Sequence, residues 1–327
     1  MAAWLVAGGH SARADETTLI FATTDPGTLE INTRLLHPWA DGINTDGAGV
    51  LRIDVRDGGA IANHANYYDR VFDDVVQIAI GQLNFISGKF PRSGIMNLPF
   101  LADSSERASI AFWRLYKTGM LDAEFHDIHP ILFASLPQAG LHMAKPIPNL
   151  DKLDGLKIAA GAKAMTQALA AMGAAPSSLT APDLYEGIQR RTIDGASMIY
   201  QGLRTFKLDE VTHFHVETPM GASFAMLFMT QKRYKALSPE AQKIMDAHSG
   251  ETQTRLAGQY YDNAQKESRA IVAAESGQTI VGLTPAQTES WHRRIEPVTD
   301  DWVKATPDGA KILAAFKQIL AEVNTGK

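Results

Sequence analysis

The 327-residue sequence contains no cysteine. That absence excludes disulfide staples, thiolate metal sites and cysteine nucleophiles, and it fits an oxidising compartment where stray thiols are a hazard. Basic charge is not in excess either: 31 Lys+Arg against 36 Asp+Glu give a net charge of -5. Nucleic acid as a main partner calls for a basic face and is argued against. No apolar run reaches the length needed to span a bilayer. The chain has no Gly-x-Ser-x-Gly elbow, no phosphate loop, no dinucleotide fingerprint and no internal repeat. What remains is a chain long enough to bury a large core and to divide into two lobes.

Met1 to Gly9 is apolar and small, and Ala12-Arg13-Ala14 has the small-x-small form of a signal-peptidase site. The expectation is a signal-peptide remnant over residues 1–14, with Asp15 opening an exported, periplasmic chain. The basic segment that usually starts such a signal is not seen in these residues.

Hydrophobic periodicity then lays out the elements. TLIFA (Thr18 to Ala22), VLRIDVR (Val50 to Arg56) and VVQIAIG (Val75 to Gly81) read as strands, separated by helical spacing over Thr28–Asn44 and Asn66–Asp74. This β-α-β-α-β order predicts a parallel sheet with helices on its faces. Ser104–Thr118 reads as a helix. ILFAS and LHMAK read as strands bracketing Pro137 to Gly140, a crossing between lobes. A second β-α-β region follows: strand Leu156–Ala159, helix Ala162–Met172, strand Ser177–Leu179, helix Asp183–Arg190, and strand Gly195–Tyr200. THFHVE (Thr212 to Glu217) and SFAMLFMT (Ser223 to Thr230) are further strands, the latter apolar enough to be central. Ser238 and Pro239 are a good N-cap and first-turn pair for a helix running unbroken to about Glu275. Gln278–Leu283 is a short strand, and two amphipathic helices close the chain. In such a design ligands are captured in a cleft at the carboxyl ends of the strands. Thr23 and Thr24 end the first strand, and Gln82 and Asn84 follow the third, so these neutral polar groups are expected near that cleft.

An ordered set of motifs carries a family resemblance over nearly the whole chain. It comprises HPWADGI (His37 to Ile43), YYDRVFDDVVQIAI (Tyr67 to Ile80), SGKFPRSGIMNLPF (Ser87 to Phe100), PIPNLDKLDGLKI (Pro146 to Ile158), LYEGIQRRTIDGA (Leu184 to Ala196), FKLDEVTHFHVE (Phe206 to Glu217) and ALSPEAQKIM (Ala236 to Met245). Together they resemble the extracytoplasmic solute-binding proteins of TRAP transporters, the DctP-type family. The resemblance implies an α/β, two-lobed periplasmic binding protein fold, with hinged lobes and a long helix spanning both. Lobe I is expected over 15–138 plus 219–258, and lobe II over 139–218 plus 259–327. It further implies a monomer without cofactor or catalysis that binds a small organic acid, closes on it, and delivers it to TRAP membrane permease subunits.

The family holds its ligand's carboxylate with an arginine placed straight after the Lys-Ile of the strand at Lys157-Ile158. Here that position is Ala159. A second arginine used by some members falls near Gln138. A buried carboxylate favours a bidentate, permanently charged donor, so Arg92 in the Phe90-Pro91-Arg92 loop is a candidate substitute. Arg190, Arg191 and Arg204 read as surface residues. Tyr200-Gln201 stands where the family often has Trp-Glu, and the aromatic ring could stack on a flat ligand. The candidate ligand-binding set is Thr23, Gln82, Arg92, Gln138, Ala159, Tyr200 and Gln201. Neutral groups and an aromatic ring in place of arginines favour a hydrophobic or aromatic carboxylate over a sugar acid.

Three alternatives stand beside this reading. His213, His215 and Glu217 alternate along one strand and project to one face, a zinc-compatible set; His126, Asp127 and His129 form a second cluster, in a turn. An α/β enzyme is another reading. The same fold could also serve as a ligand-sensing subunit of a membrane kinase.

Overall fold

The computed structural model describes residues 16–179 and 183–326; the expected signal remnant lies outside them. The described chain begins with β1 (Thr17–Ala22), a π-turn (Asn32–Leu36) leading into α1 (His37–Asp46), β2 (Leu51–Arg56), α2 (Tyr67–Phe72) and β3 (Ile78–Gln82). It continues through α3 (Ser105–Lys117), α4 (Asp122–Phe125), β4 (Ile128–Gln138), β5 (Gly140–Met143), β6 (Lys157–Ala160), α5 (Lys163–Ala171) and β7 (Ala175–Ser177). Then come α6 (Leu184–Gln189), β8 (Gly195–Met198), α7 (Tyr200–Thr205), β9 (Phe214–Glu217) and β10 (Ala222–Thr230). The last elements are α8 (Gln231–Lys235), α9 (Pro239–Ala247), α10 (Glu251–Ala274), β11 (Thr279–Gly282), α11 (Pro285–Ala305) and α12 (Gly309–Asn324).

Two sheets organise these elements, in the orders β2-β1-β3-β10-β4 and β11-β9-β5-β8-β6-β7. β1, β2 and β3 are parallel, as the alternation of strands and helices requires, and β10 runs antiparallel between β3 and β4. Each sheet is buried on both faces. In lobe I, Leu19, Phe21 and Ile53 pack toward α1 and α10, while Phe133, Phe224 and Phe228 pack toward α2, α3 and α12. In lobe II, Leu141, Met143 and Ile158 pack toward α5 and α11, and Ala159, Ala196 and Tyr200 toward α6 and α7. This is the α/β, two-lobed architecture expected from the sequence.

The long helix differs from its expectation. The stretch from Pro239 is two helices, broken where Gly250 takes φ +91 and donates its N–H to the Ile131 carbonyl at 2.9 Å. A side chain disfavours that backbone region, so the glycine sets the break. α10 alone, 24 residues, spans about 36 Å at 1.5 Å per residue. It packs on α3 and β4 in lobe I and on α7 in lobe II.

The chain's end also differs. Trp291, Ile295 and Val298 of α11 are buried in lobe II, but Ile312, Phe316 and Leu320 of α12 enter the lobe I core beside Phe112 and Phe133. The C-terminal helix therefore belongs with lobe I, and the expected assignment of all of 259–327 to lobe II does not hold for it. Besides the strand crossings, the chain passes between the lobes along α10, from β10 of the first sheet to β11 of the second, and back along α11. Gly195–Tyr200 was expected to be strand throughout. Instead β8 stops at Met198 and α7 begins at Tyr200, whose N–H is taken by the Gln265 side chain of α10 at 2.8 Å.

Candidate functional site

Two crossings between strands join the sheets of the lobes. β4 leaves the first sheet at Gln138 and β5 enters the second at Gly140, with only Ala139 between. The return path runs from Glu217 to Ala222. Hydrogen bonds lock the crossings together: Ala139 N–H donates to the Gly221 carbonyl (2.9 Å), and Gly221 N–H to Gln138 Oε1 (2.8 Å). Gly221 has φ +110, and a Cβ there would lie 2.5 Å from the Asn97 carbonyl oxygen, so only glycine fits this hinge position.

The carboxyl ends of the strands meet on one side of the crossings. Thr23, 1% exposed, donates from its hydroxyl to Asp57 Oδ1 (2.8 Å) and the Asp25 carbonyl (3.1 Å). Gln82 is half-buried, and its carbonyl accepts from the Tyr67 hydroxyl at 3.0 Å. Asn84 reaches across to lobe II, its Nδ2 donating to the Gly161 carbonyl at 3.3 Å. Asn84 Oδ1 and Ser197 Oγ are buried and find no partner among the described residues. Unpaired buried polar atoms are costly and mark a place where a ligand or water completes the bonding. Phe85, 52% exposed, stands at the rim with its ring 5.3 Å from that of His64.

At the crossings lies a cavity of about 630 Å³, lined by Gln138, Tyr200, Glu217, Thr218 and Gln265 and by apolar groups such as Phe100. Its carboxylates are already paired, Glu217 with Arg269 and Asp103 with Arg107. Its described lining includes no lysine or arginine. Tyr200 is 3% exposed, with its ring edge-on to His142 at 5.0 Å and its hydroxyl without a partner among the described residues. Burial pushes this phenol well above its ordinary range.

The seven expected site residues therefore do not gather in one place. Thr23 and Gln82 lie at the strand ends, while Gln138 and Tyr200 line the cavity at the crossings. Ala159 is 2% exposed and packs among Leu184, Ile188 and Tyr200, in core rather than open space. Gln201 donates to the Tyr260 hydroxyl at 2.6 Å, tying α7 to α10. Arg92 donates to the Met120 carbonyl (2.7 Å) and to Asp308 (3.1 Å), joining lobe I to the start of α12. Arg190 pairs with Glu186, and Arg204 with Asp209 and Glu275.

The metal alternative is corrected by the geometry. His213 is exposed, Glu217 pairs with Arg269, and His215 is buried with Nδ1 2.8 Å from His142 Nδ1. Among the described residues no group of three His, Asp or Glu gathers to hold a metal ion. His126 pairs with Asp127 at the surface while His129 stacks on Tyr234. His142 is the buried polar group that sequence reasoning passed over. Its signal was a histidine between two apolar residues of LHMAK, on the strand face opposite Leu141 and Met143. Its Nε2–H donates to the Met198 carbonyl at 3.0 Å, and His215 Nε2 lies 2.9 Å from Gln278 Oε1. Desolvation, then the neighbouring His215, lowers the His142 pKa to about 3.

Two α/β lobes with paired crossings, a helix laid across both and a polar interlobe cleft define the bilobal solute-binding class. Residues 23–305 match the bacterial extracellular solute-binding proteins, family 7, and the chain belongs to that family. It is an extracellular solute-binding protein. The chain is 25% identical over 310 residues to the outer membrane transporter protein TsaT of Comamonas testosteroni, covering 93% of this chain and 90% of that protein. Among solved structures it resembles a TRAP solute-binding protein from Rhodoferax ferrireducens T118 in complex with copurified benzoate (TM-score 0.87, 24% identity, 94% of this chain and 99% of that one). A marine metagenome TRAP solute-binding protein specific for aromatic acid ligands, in complex with 3-hydroxybenzoate, is similar to the same degree (TM-score 0.87, 23% identity, 94% and 99% coverage).

Proposed function

We propose that this protein captures an aromatic or otherwise apolar monocarboxylate between its lobes, outside the cytoplasm, and hands it to the membrane subunits of a TRAP permease. One observation carries the choice of ligand: the described lining of the cavity at the crossings is neutral polar and apolar apart from carboxylates already paired, with no lysine or arginine to serve a more highly charged acid. A sugar acid asks for many hydrogen bonds around its ring; a benzoate-like acid asks for one polar anchor and flat apolar walls. The aromatic acids bound by the two structural relatives support the same choice. The ligand bridges the lobes and, by its higher affinity for the closed form, shifts the population toward closure about the two crossings.

The test is a thermal-shift screen over benzoate, 3-hydroxybenzoate, mandelate, succinate and hexuronates. An aromatic acid at a hundred times its Kd adds about 2.7 kcal/mol to stability, a shift of several degrees. X-ray scattering should show a smaller radius of gyration with the same acid. Stabilisation by hexuronates or succinate and not by aryl acids sinks the proposal. The periplasmic address rests on residues 1–14 acting as an export signal; N-terminal sequencing of the exported chain should begin at Asp15.

A further inference from the structure

A carboxylate enclosed between the lobes needs donors, and Arg92, Arg190 and Arg204 are engaged elsewhere. Helix α5 opens without a side-chain cap: Ala162 precedes it in extended conformation (φ -127, ψ 146), its side chain offers no capping oxygen, and no acid lies in the first turn. The first three N–H groups of a helix have no intrahelical acceptor, and they carry the positive end of its dipole. In α5 the first intrahelical bond close to this end runs from Thr166 N–H to the Ala162 carbonyl (2.9 Å). This end faces the other lobe, because the preceding Gly161 accepts through its carbonyl from Asn84 Nδ2. Space adjoins it: a Cβ added at Gly161 would meet nothing within 4 Å.

Ser197 supplies a second, independent sign. It is 6% exposed, and its hydroxyl has no partner among the described residues. Register places it beside Ala160 of β6 and Leu141 of β5. Leu141 packs with Ala168 and Leu169 of α5, and Ala160 lies against Ala162 and Met165. Ser197 therefore lies on the sheet face that α5 covers, at the strand end beneath the first turn of α5. A buried hydroxyl with no partner among the described residues, set under three amides that have no intrahelical acceptor, is a donor set suited to an anion.

We propose that the amino end of α5 (Lys163, Ala164 and Met165 N–H) together with the Ser197 hydroxyl anchors the ligand's carboxylate; the proposal rests on the acid-binding function given above. Dipole and hydroxyl replace a side-chain cation, which suits a single carboxylate on an apolar body. Three variants of one titration test it, with benzoate as calorimetric probe of the full chain. Ser197→Ala should weaken benzoate by about tenfold or more, since a hydrogen bond to an ion is lost. Its ligand-free melting temperature should hold or rise, because the hydroxyl removed has no partner. Ala162→Asp places a carboxylate cap on the same amides, and benzoate affinity should fall further. On the wild type, benzoate should move the amide proton resonances of residues 163–165 downfield. Benzoate affinity within about twofold of wild type in both variants, or unmoved amide resonances, overturns the anchor. A wild type that binds no aryl acid overturns the proposed function and the anchor with it.

Discussion

Acidification should unfold this protein through the buried histidine pair, and the size of the effect can be worked from the contacts. Three gaps must be filled along the chain from the Met198 carbonyl through His142 and His215 to Gln278 Oε1, at 3.0, 2.8 and 2.9 Å. Two neutral rings carry two N–H groups, so one gap, His215 Nε2 to Gln278 Oε1, is unfilled. Gln278 cannot close it by turning its amide, because its Nε2 already donates to the Asp209 carbonyl at 2.9 Å. The folded network has room for one further proton, whereas the unfolded chain takes up two. His142 is fully enclosed, and desolvation, reinforced by His215, lowers its pKa from 6.5 to about 3. The His215 pKa is also lowered, chiefly by desolvation.

Folded pKa values below unfolded ones mean that the stabilising contribution is complete above 6.5 and is lost as pH falls toward 3. With at least one proton more in the unfolded state, stability drops by about 1.4 kcal/mol per pH unit, or about 2 kcal/mol between pH 6.5 and pH 5. The groups facing the pair set the rest of the field: Asp209, Glu275 and His213 around His215, and Glu217 with Arg269 beyond Tyr200. Urea unfolding at about pH 7 and about pH 5 measures the slope. The chain has ten histidines, so the control is the double variant His142→Gln with His215→Gln, whose stability should depend on pH less by that amount. Equal slopes in the two proteins would refute the reasoning.

Two further outcomes follow from the packing. Gly258→Ala in the middle of α10 would ordinarily stabilise a helix by about 1 kcal/mol; here a Cβ would lie 2.4 Å from Glu106 Cα and 2.9 Å from the Ser105 carbonyl oxygen. The expected result is the opposite sign, a loss of about 1–3 kcal/mol by chemical denaturation as α10 is forced off α3. Arg92→Ala removes the bonds to Met120 and Asp308. It should cost about 1 kcal/mol of stability and leave affinity for an aryl acid within about twofold, which calorimetry would read directly.

Most elements were legible because strand alternation and helical spacing are local properties. Strand β10 was identified as central from its unbroken apolar run, and it does lie between β3 and β4. Misreadings fell where a distant residue decides the local conformation. Tyr200 begins a helix because Gln265, on another element, accepts its N–H. The break before α10 depends on Ile131 accepting from Gly250. The apolar stripe of α12 announces a buried face but does not say which lobe receives it. The site was legible only in part. Strand ends point to Thr23 and Gln82, but the partners that engage Arg92 lie at Met120 and Asp308, far along the chain. The pairing of His142 with His215 depends on the register of β5 against β9, which no local pattern encodes.

The position of β10 also sets an order of events during biogenesis. Residues 222–230 supply the strand that joins β3 to β4, yet they are made only after the second lobe's sheet strands other than β11. Until they arrive, β4 has no neighbour in its sheet and the two halves of the amino-terminal core cannot zip together. The first lobe's sheet is thus completed late in synthesis, after most of the second lobe's strands have been made.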